Sequence, residues 1–196
     1  RRKMDAILAA ITDKDSPSIT HNRIILNAAE IGVGAEIIDR SKKVRRKIKS
    51  RIVSTVASIV ATLPAYSSNE CDIVIDGQKK ISTKMTMGIV ANGRFLGGGF
   101  KAAPRAKFSD GLLDIIILKN SGSFKMLDKL IELKGASTYK FEEDILYYQA
   151  SEVGFFPKER DVTVTVDGEP IGILPAIFKS YHDALTIKSE TFSSRI

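Results

Sequence analysis

The spacing of hydrophobic positions changes part-way along the chain. Over residues 2–12, Met4, Ile7, Leu8 and Ile11 recur at i, i+3, i+4 and i+7, which predicts an amphipathic helix. Pro17 marks a turn-rich break over residues 13–20. Residues 23–31 (RIILNAAEI) read as a strand that closes on Gly32 and Gly34. From 35 to 62, Ile37, Ile38, Val44, Ile48, Ile52, Val53 and Val56 return at helical spacing, and Pro64 ends the run.

Beyond Pro64 the period drops to two. Residues 71–75 alternate, Asp76-Gly77 signals a hairpin, and residues 84–91 continue as strand. Residues 113–118 (LDIIIL) form a buried-strand pattern. Residues 123–133 predict an inserted amphipathic helix, and alternation resumes over 139–154. Residues 161–166 (DVTVTV) are a period-2 strand turned by Asp167-Gly168, and two short strands are expected near 176–179 and 184–188. Few helices and then many strands is not βαβ alternation. The expected class is α+β, mainly β: an antiparallel β-sandwich with a few packed helices, in one domain over residues 1–196.

Composition narrows what such a domain does. Hydrophobic residues are 43% and charged residues 27%, as in globular proteins. The longest weakly polar run, residues 52–63, is about half of the roughly 20 residues that cross a bilayer. A single cysteine, Cys71, forms no internal disulfide and reads as a buried, inert thiol; two histidines, His21 and His182, argue against a zinc site or a Ser-His triad. A cytoplasmic location follows, with peripheral membrane contact as an option. The net charge of +7 is concentrated in Lys42 to Arg51 (KKVRRKIKSR), with seven basic residues and no acidic one. This block suits an anionic membrane surface or the solvated face of a helix, and its lack of aromatic residues gives base stacking on nucleic acid no support. No GxxxxGK[ST] loop or strand-GxGxxG-helix unit occurs.

Three segments carry candidate chemistry. In residues 92–99 (NGRFLGGG), Asn92 precedes Gly97, Gly98 and Gly99, whose missing Cβ atoms let a ligand or phosphate approach the backbone, or make a wide turn. In residues 107–114 (KFSDGLLD), Asp110-Gly111 is a tight turn that either holds a hard cation through oxygen ligands or is an ordinary turn. In residues 166–170 (VDGEP), Asp167 and Glu169 flank a hairpin tip that either serves a hydroxyl nucleophile or faces solvent.

Taken in order, NG, GGG, P-x-A, DG-LLD and DGE-P resemble the C-terminal domain of the diacylglycerol kinase and sphingosine kinase superfamily, in its bacterial and archaeal style. Residues 25–35 (ILNAAEIGVGA) are similar to that family's F-L-N-x-A-S-x-G-x-D-A strand, and residues 184–187 to its closing strand, so the resemblance runs from about 20 to 188. It implies a lipid kinase that phosphorylates a lipid hydroxyl, diacylglycerol by default, with ATP and Mg²⁺. It implies Glu169 as the proton acceptor with Asp167 beside it. The cation falls to the Asp110 side chain and the carbonyls of Lys107 and Leu112, and Asn92 with Gly97 to Gly99 belongs to the substrate cleft. The family's nucleotide loop, GGDGT, is absent from this sequence. ATP is therefore expected to be held by an N-terminal domain outside the chain, and the chain alone is expected to be inactive. The alternatives are a relative of NAD kinase or a non-catalytic lipid-binding sandwich. A homodimer is left open.

Overall fold

The computed structural model describes residues 1–46, 57–58, 61–62, 66–96, 101–120 and 144–188. In these residues ten strands and one helix follow in the order β1 (Arg2–Thr12), β2 (Thr20–Ile25), β3 (Ala28–Gly32), α1 (Val33–Arg45), β4 (Asn69–Ile75), β5 (Lys79–Ala91), β6 (Leu113–Lys119), β7 (Ile145–Ala150), β8 (Glu152–Pro157), β9 (Thr163–Val166) and β10 (Glu169–Ile187). The fold is mainly β, as the residue pattern predicts. The expected helix over 123–133 and the glycines at 97–99 lie outside the described residues.

All strand pairings described are antiparallel, in the order β2-β1-β10-β8-β4-β5-β3-β9, with β6 and β7 continuing from β5. The start of β10 also pairs with β9, so the path closes on itself. One apolar cluster fills the interior, with Ile7, Ile11, Ile31, Ile73, Val90, Ile115, Phe155, Val164 and Phe178 among its fully buried members. A second, around Val33, Met87, Ile89, Ala91, Ala103, Ala106, Ile116 and Leu118, lies on the opposite face of β5 and β6. A register shift between Met85 and Met87 accompanies the change of face: Met85 belongs to the first cluster and Met87 to the second.

Two expectations are corrected. Residues 2–12 are strand, not helix. Their members of the interior cluster, Ile7, Ala9 and Ile11, have period two, and small Ala9 hides that alternation beneath a helix-like spacing of larger residues. Pairing with β10 on one side and β2 on the other decides the conformation. The two short strands expected near 176–179 and 184–188 are parts of β10. Gly172, Pro175 and Asp183 sit at or beside register shifts of this one long strand. The strand expected over 23–31 is divided between β2 and β3.

β10 is not straight. Residues 169–173 pair with β9, residues 173–187 with β1, and the partner changes at Ile173. Asp167 and Asp183, on the two arms, are both tied into one polar cluster described below, so the strand folds back near 172–176.

Helix α1 begins at Gly32, whose φ of +79° only glycine adopts freely; a Cβ there would lie 2.7 Å from the Thr86 carbonyl oxygen. The helix carries Lys42 and Lys43, exposed near its end; residues 47–51 of the basic block lie outside the described residues. Among the described residues no helix is long and apolar enough to cross a membrane.

Candidate functional site

The hairpin between β9 and β10 turns on Asp167 (φ +47°) and Gly168 (φ +85°), the positive-φ pair that matches strand twist. Asp167 does more than turn the chain. Its Oδ2 accepts from the Leu26 N–H (2.9 Å), and its Oδ1 from the N–H groups of Asn27 (3.0 Å) and Ala28 (3.1 Å). The carboxylate thus holds the link between β2 and β3. Glu169, two residues on, is exposed at the first position of β10.

The same link reaches the second motif. The Asn27 carbonyl accepts from the N–H groups of Asn92 (2.8 Å) and Gly93 (3.1 Å), and Asn27 Nδ2 donates to the Phe95 carbonyl (3.0 Å). Asn92 is buried, and its Nδ2 donates to the carbonyls of Leu26 and Asp5, both at 2.9 Å. The structure therefore places Asn92 as a joint beneath the surface.

Asp5 carries the chain of contacts to the third motif. Its carboxylate is 1% exposed and accepts from the N–H groups of Gly111 (2.7 Å) and Asp183 (2.8 Å), with His182 Nδ1 at 2.9 Å. Gly111 has φ +74° and begins the turn back into β6. Beside it, Asp110 Oδ1 accepts from the Leu112 N–H at 3.2 Å. Lys107 is exposed; Asp110 and Leu112 are half-buried. Three motifs separated in sequence are thus joined by hydrogen bonds at one end of the sandwich.

Sequence reasoning missed Asp5, which looked only like a charge interrupting an apolar run. It also passed over two further buried acids. Glu30, on β3, is 5% exposed; Thr165 Oγ1 donates to its Oε2 at 2.9 Å. Burial, with some help from the Asp167 charge, pushes the Glu30 carboxyl up to about 7. Asp114, on β6, is fully buried, and burial with the neighbouring Asp110 charge pushes it up to about 7. The Cys71 thiol is buried and pushed up to about 11, chiefly by burial, which fits an inert core residue.

A cleft of about 530 Å³ opens between α1, β9 and the start of β10, lined by Lys14, Ala35, Glu36, Arg40, Lys43, Thr163 and Pro170. Three of these are cationic and one is acidic, and Pro170 is the chain neighbour of Glu169. Thr163 lies on the same face of β9 as Thr165, which pairs with Glu30 of β3.

A family model described as the YegS C-terminal NAD kinase beta sandwich-like domain matches residues 27–189. The chain belongs to this family. It is 30% identical over 101 residues to a protein named "Putative lipid kinase YtlR" from Bacillus subtilis (strain 168), covering 52% of this chain and 32% of that protein. A putative diacylglycerol kinase from Bacillus anthracis str. Sterne superposes with a TM-score of 0.68 at 22% identity, over 93% of this chain and 54% of that one. A second B. anthracis structure, titled a diacylglycerol kinase, gives a TM-score of 0.62 at 17% identity over 93% of this chain and 52% of that one. These structures share the fold. The chain spans about a third of the curated relative and about half of the solved chains it matches. The family match takes in the hydrogen-bonded cluster except Leu26 and its β1 member, Asp5.

Proposed function

We propose that this chain is the acceptor-side part of a lipid kinase that transfers phosphate from ATP to a lipid hydroxyl. The observation that carries the reading is the division between the two acids of the β9–β10 turn. Asp167 accepts three backbone N–H bonds and is committed to holding the turn. Glu169 is exposed beside the cationic cleft and is the acid available to accept a proton. In this reading Glu169 takes the hydroxyl proton as the oxygen attacks the terminal phosphorus of ATP, and the bond to the β,γ-bridging oxygen breaks to release ADP. Asp167 positions Glu169 through the turn.

The donor set around the Asp110 turn fits a hard cation: one carboxylate with the carbonyls of Lys107 and Leu112 close by in sequence, all oxygen. These groups would hold Mg²⁺, which supplies positive charge near the transferring phosphoryl group or fixes the loop that faces it. Lys14, Arg40 and Lys43 favour anionic headgroups at the cleft mouth, consistent with working at a membrane surface. ATP is assigned to a region outside this chain.

The test is transfer of labelled phosphate from ATP by the intact protein, to diacylglycerol vesicles in one arm and to NAD in the other. Transfer to lipid, reduced at least a hundredfold in kcat by Glu169→Gln, is expected. Transfer to NAD alone, or activity unaffected by Glu169→Gln, overturns the reading.

A further inference from the structure

Among the described residues, Asp114 is the buried acid in this region whose bonding is incomplete. It lies on β6 between Ala91 of β5 and Gln149 of β7. Its neighbours along the strand divide by face: Leu113 and Ile115 point into the first apolar cluster, Ile116 into the second. Asp114 therefore lies on the second face, the side covered by the segment bearing Ala102, Ala103 and Ala106. That segment is pinned by the Ala103 N–H to the Arg94 carbonyl (3.1 Å) and by Arg94 Nε to the Ala106 carbonyl (2.9 Å). It runs directly into Lys107 and Asp110.

Asp114 Oδ1 accepts from Gln149 Nε2 at 3.3 Å, but Oδ2 is buried with no hydrogen-bond partner among the described residues. A fully buried carboxylate oxygen left without a donor or cation costs on the order of 1–3 kcal/mol, and more when charged. Asp110, Arg105 and Lys107 are the charges it senses. An aspartate that gained nothing here would be better replaced by an apolar residue, since the positions beneath it are already apolar.

We propose that Asp114 is the inner carboxylate of the cation site formed by the 107–112 loop, its free Oδ2 accepting a hydrogen bond from a water in the ion's shell. This rests on the cation reading of that loop. Mg²⁺ keeps several of its waters when bound by proteins, so a site with one side-chain carboxylate and two carbonyls leaves shell waters needing acceptors. A buried acceptor in this position orients such a water and adds a second negative charge near the ion. Outer-shell partners of this kind typically change metal affinity 10–100-fold.

The experiment uses the intact protein and Mn²⁺ as probe, followed by electron paramagnetic resonance, together with thermal melts with and without Mg²⁺. Asp114→Asn should weaken Mn²⁺ binding at least tenfold. It should also abolish most of the Mg²⁺-dependent rise in melting temperature. Unchanged Mn²⁺ affinity in Asp114→Asn, alongside weakened binding in Asp110→Asn, overturns the role of Asp114 and leaves the loop site standing. Failure of the wild-type protein to bind Mn²⁺ overturns both. A wild-type measurement covers the case in which Asp114→Asn does not fold: stoichiometric Mn²⁺ should broaden the Gln149 side-chain amide signals, and signals that stay sharp overturn the proposal.

Discussion

The carboxylate of Asp5 accepts a hydrogen bond of 2.7 Å from the backbone N–H of Gly111, 106 positions along the chain. Its other oxygen holds the Asp183 N–H and faces His182, so one buried group ties β1, β10 and the cation-loop candidate together. Replacing Asp5 with alanine leaves two backbone donors stranded and removes their charged acceptor. Asp5→Ala should lower stability by about 3 kcal/mol, read from urea unfolding of the intact protein. A loss under 1 kcal/mol would show that water replaces the carboxylate and that the tie is weak.

The two acids of the β9–β10 turn should separate by readout. Asp167→Ala removes three hydrogen bonds and should cost about 1–2 kcal/mol in unfolding experiments, with loss of activity following from a displaced turn. Glu169→Gln should stay within about 0.5 kcal/mol of wild type, as exposed substitutions do, while removing phosphate transfer. If Glu169→Gln destabilises as much as Asp167→Ala, the division of roles between them fails.

Glu30 gives the protein a pH-dependent stability with a defined sign. Its folded value, about 7, lies above the ordinary 4.5 of an unfolded glutamate. Between those values the folded state holds a proton that the unfolded state has lost, so stability falls as pH rises from about 4.5 to 7. Across that window the loss is roughly 3 kcal/mol, at 1.36 kcal/mol per unit. Glu30→Gln should therefore be more stable than wild type at pH 8 and no more stable near pH 4. Parallel pH–stability curves for the two proteins would refute the assignment.

Arg40 lines the cleft on α1 and is exposed. If the cleft meets anionic headgroups, Arg40→Ala should weaken sedimentation with phosphatidylserine-containing vesicles about fivefold, in line with roughly 1 kcal/mol per basic residue near such a surface. The difference should shrink in 0.5 M salt. Equal binding of both proteins at low salt would place the membrane contact elsewhere.

The legible part of the fold was its hairpins. Asp76-Gly77 and Asp167-Gly168 stand in the structure as positive-φ turns, because that backbone shape selects for these residues directly. Of the strands they join, β4 alternates clearly, with one face buried and the other not. β1 was misread for the opposite reason. Paired on both edges, it has apolar residues at adjacent positions, such as Ile7 and Leu8, and no clean alternation. In the sequence, β10 reads as two short strands near 176–179 and 184–188, because whether glycine and proline end a strand or bend it depends on which partners lie alongside.

The candidate site divides similarly. Residues on turns announced themselves by motif, and Glu169, Asp167 and Asp110 are all of this kind. Asp5, Glu30 and Asp114 lie inside strands, where a lone acid in an apolar run carries no signal of its partner. Their significance depends on donors as remote as Gly111 and Thr165, which only the folded chain brings near.

The fold-back of β10 makes one strand into a pair of callipers. One jaw carries Glu169 and the other carries Asp183, which is clamped through Asp5 to the loop of Asp110. The pivot lies at 172–176, where Gly172 is pressed so closely on the Thr12 carbonyl that any Cβ would collide with it. The gap between Glu169 and the Asp110 loop is thus gauged by a backbone contact remote from both, and a side chain added at the pivot would reset that gap without touching either jaw.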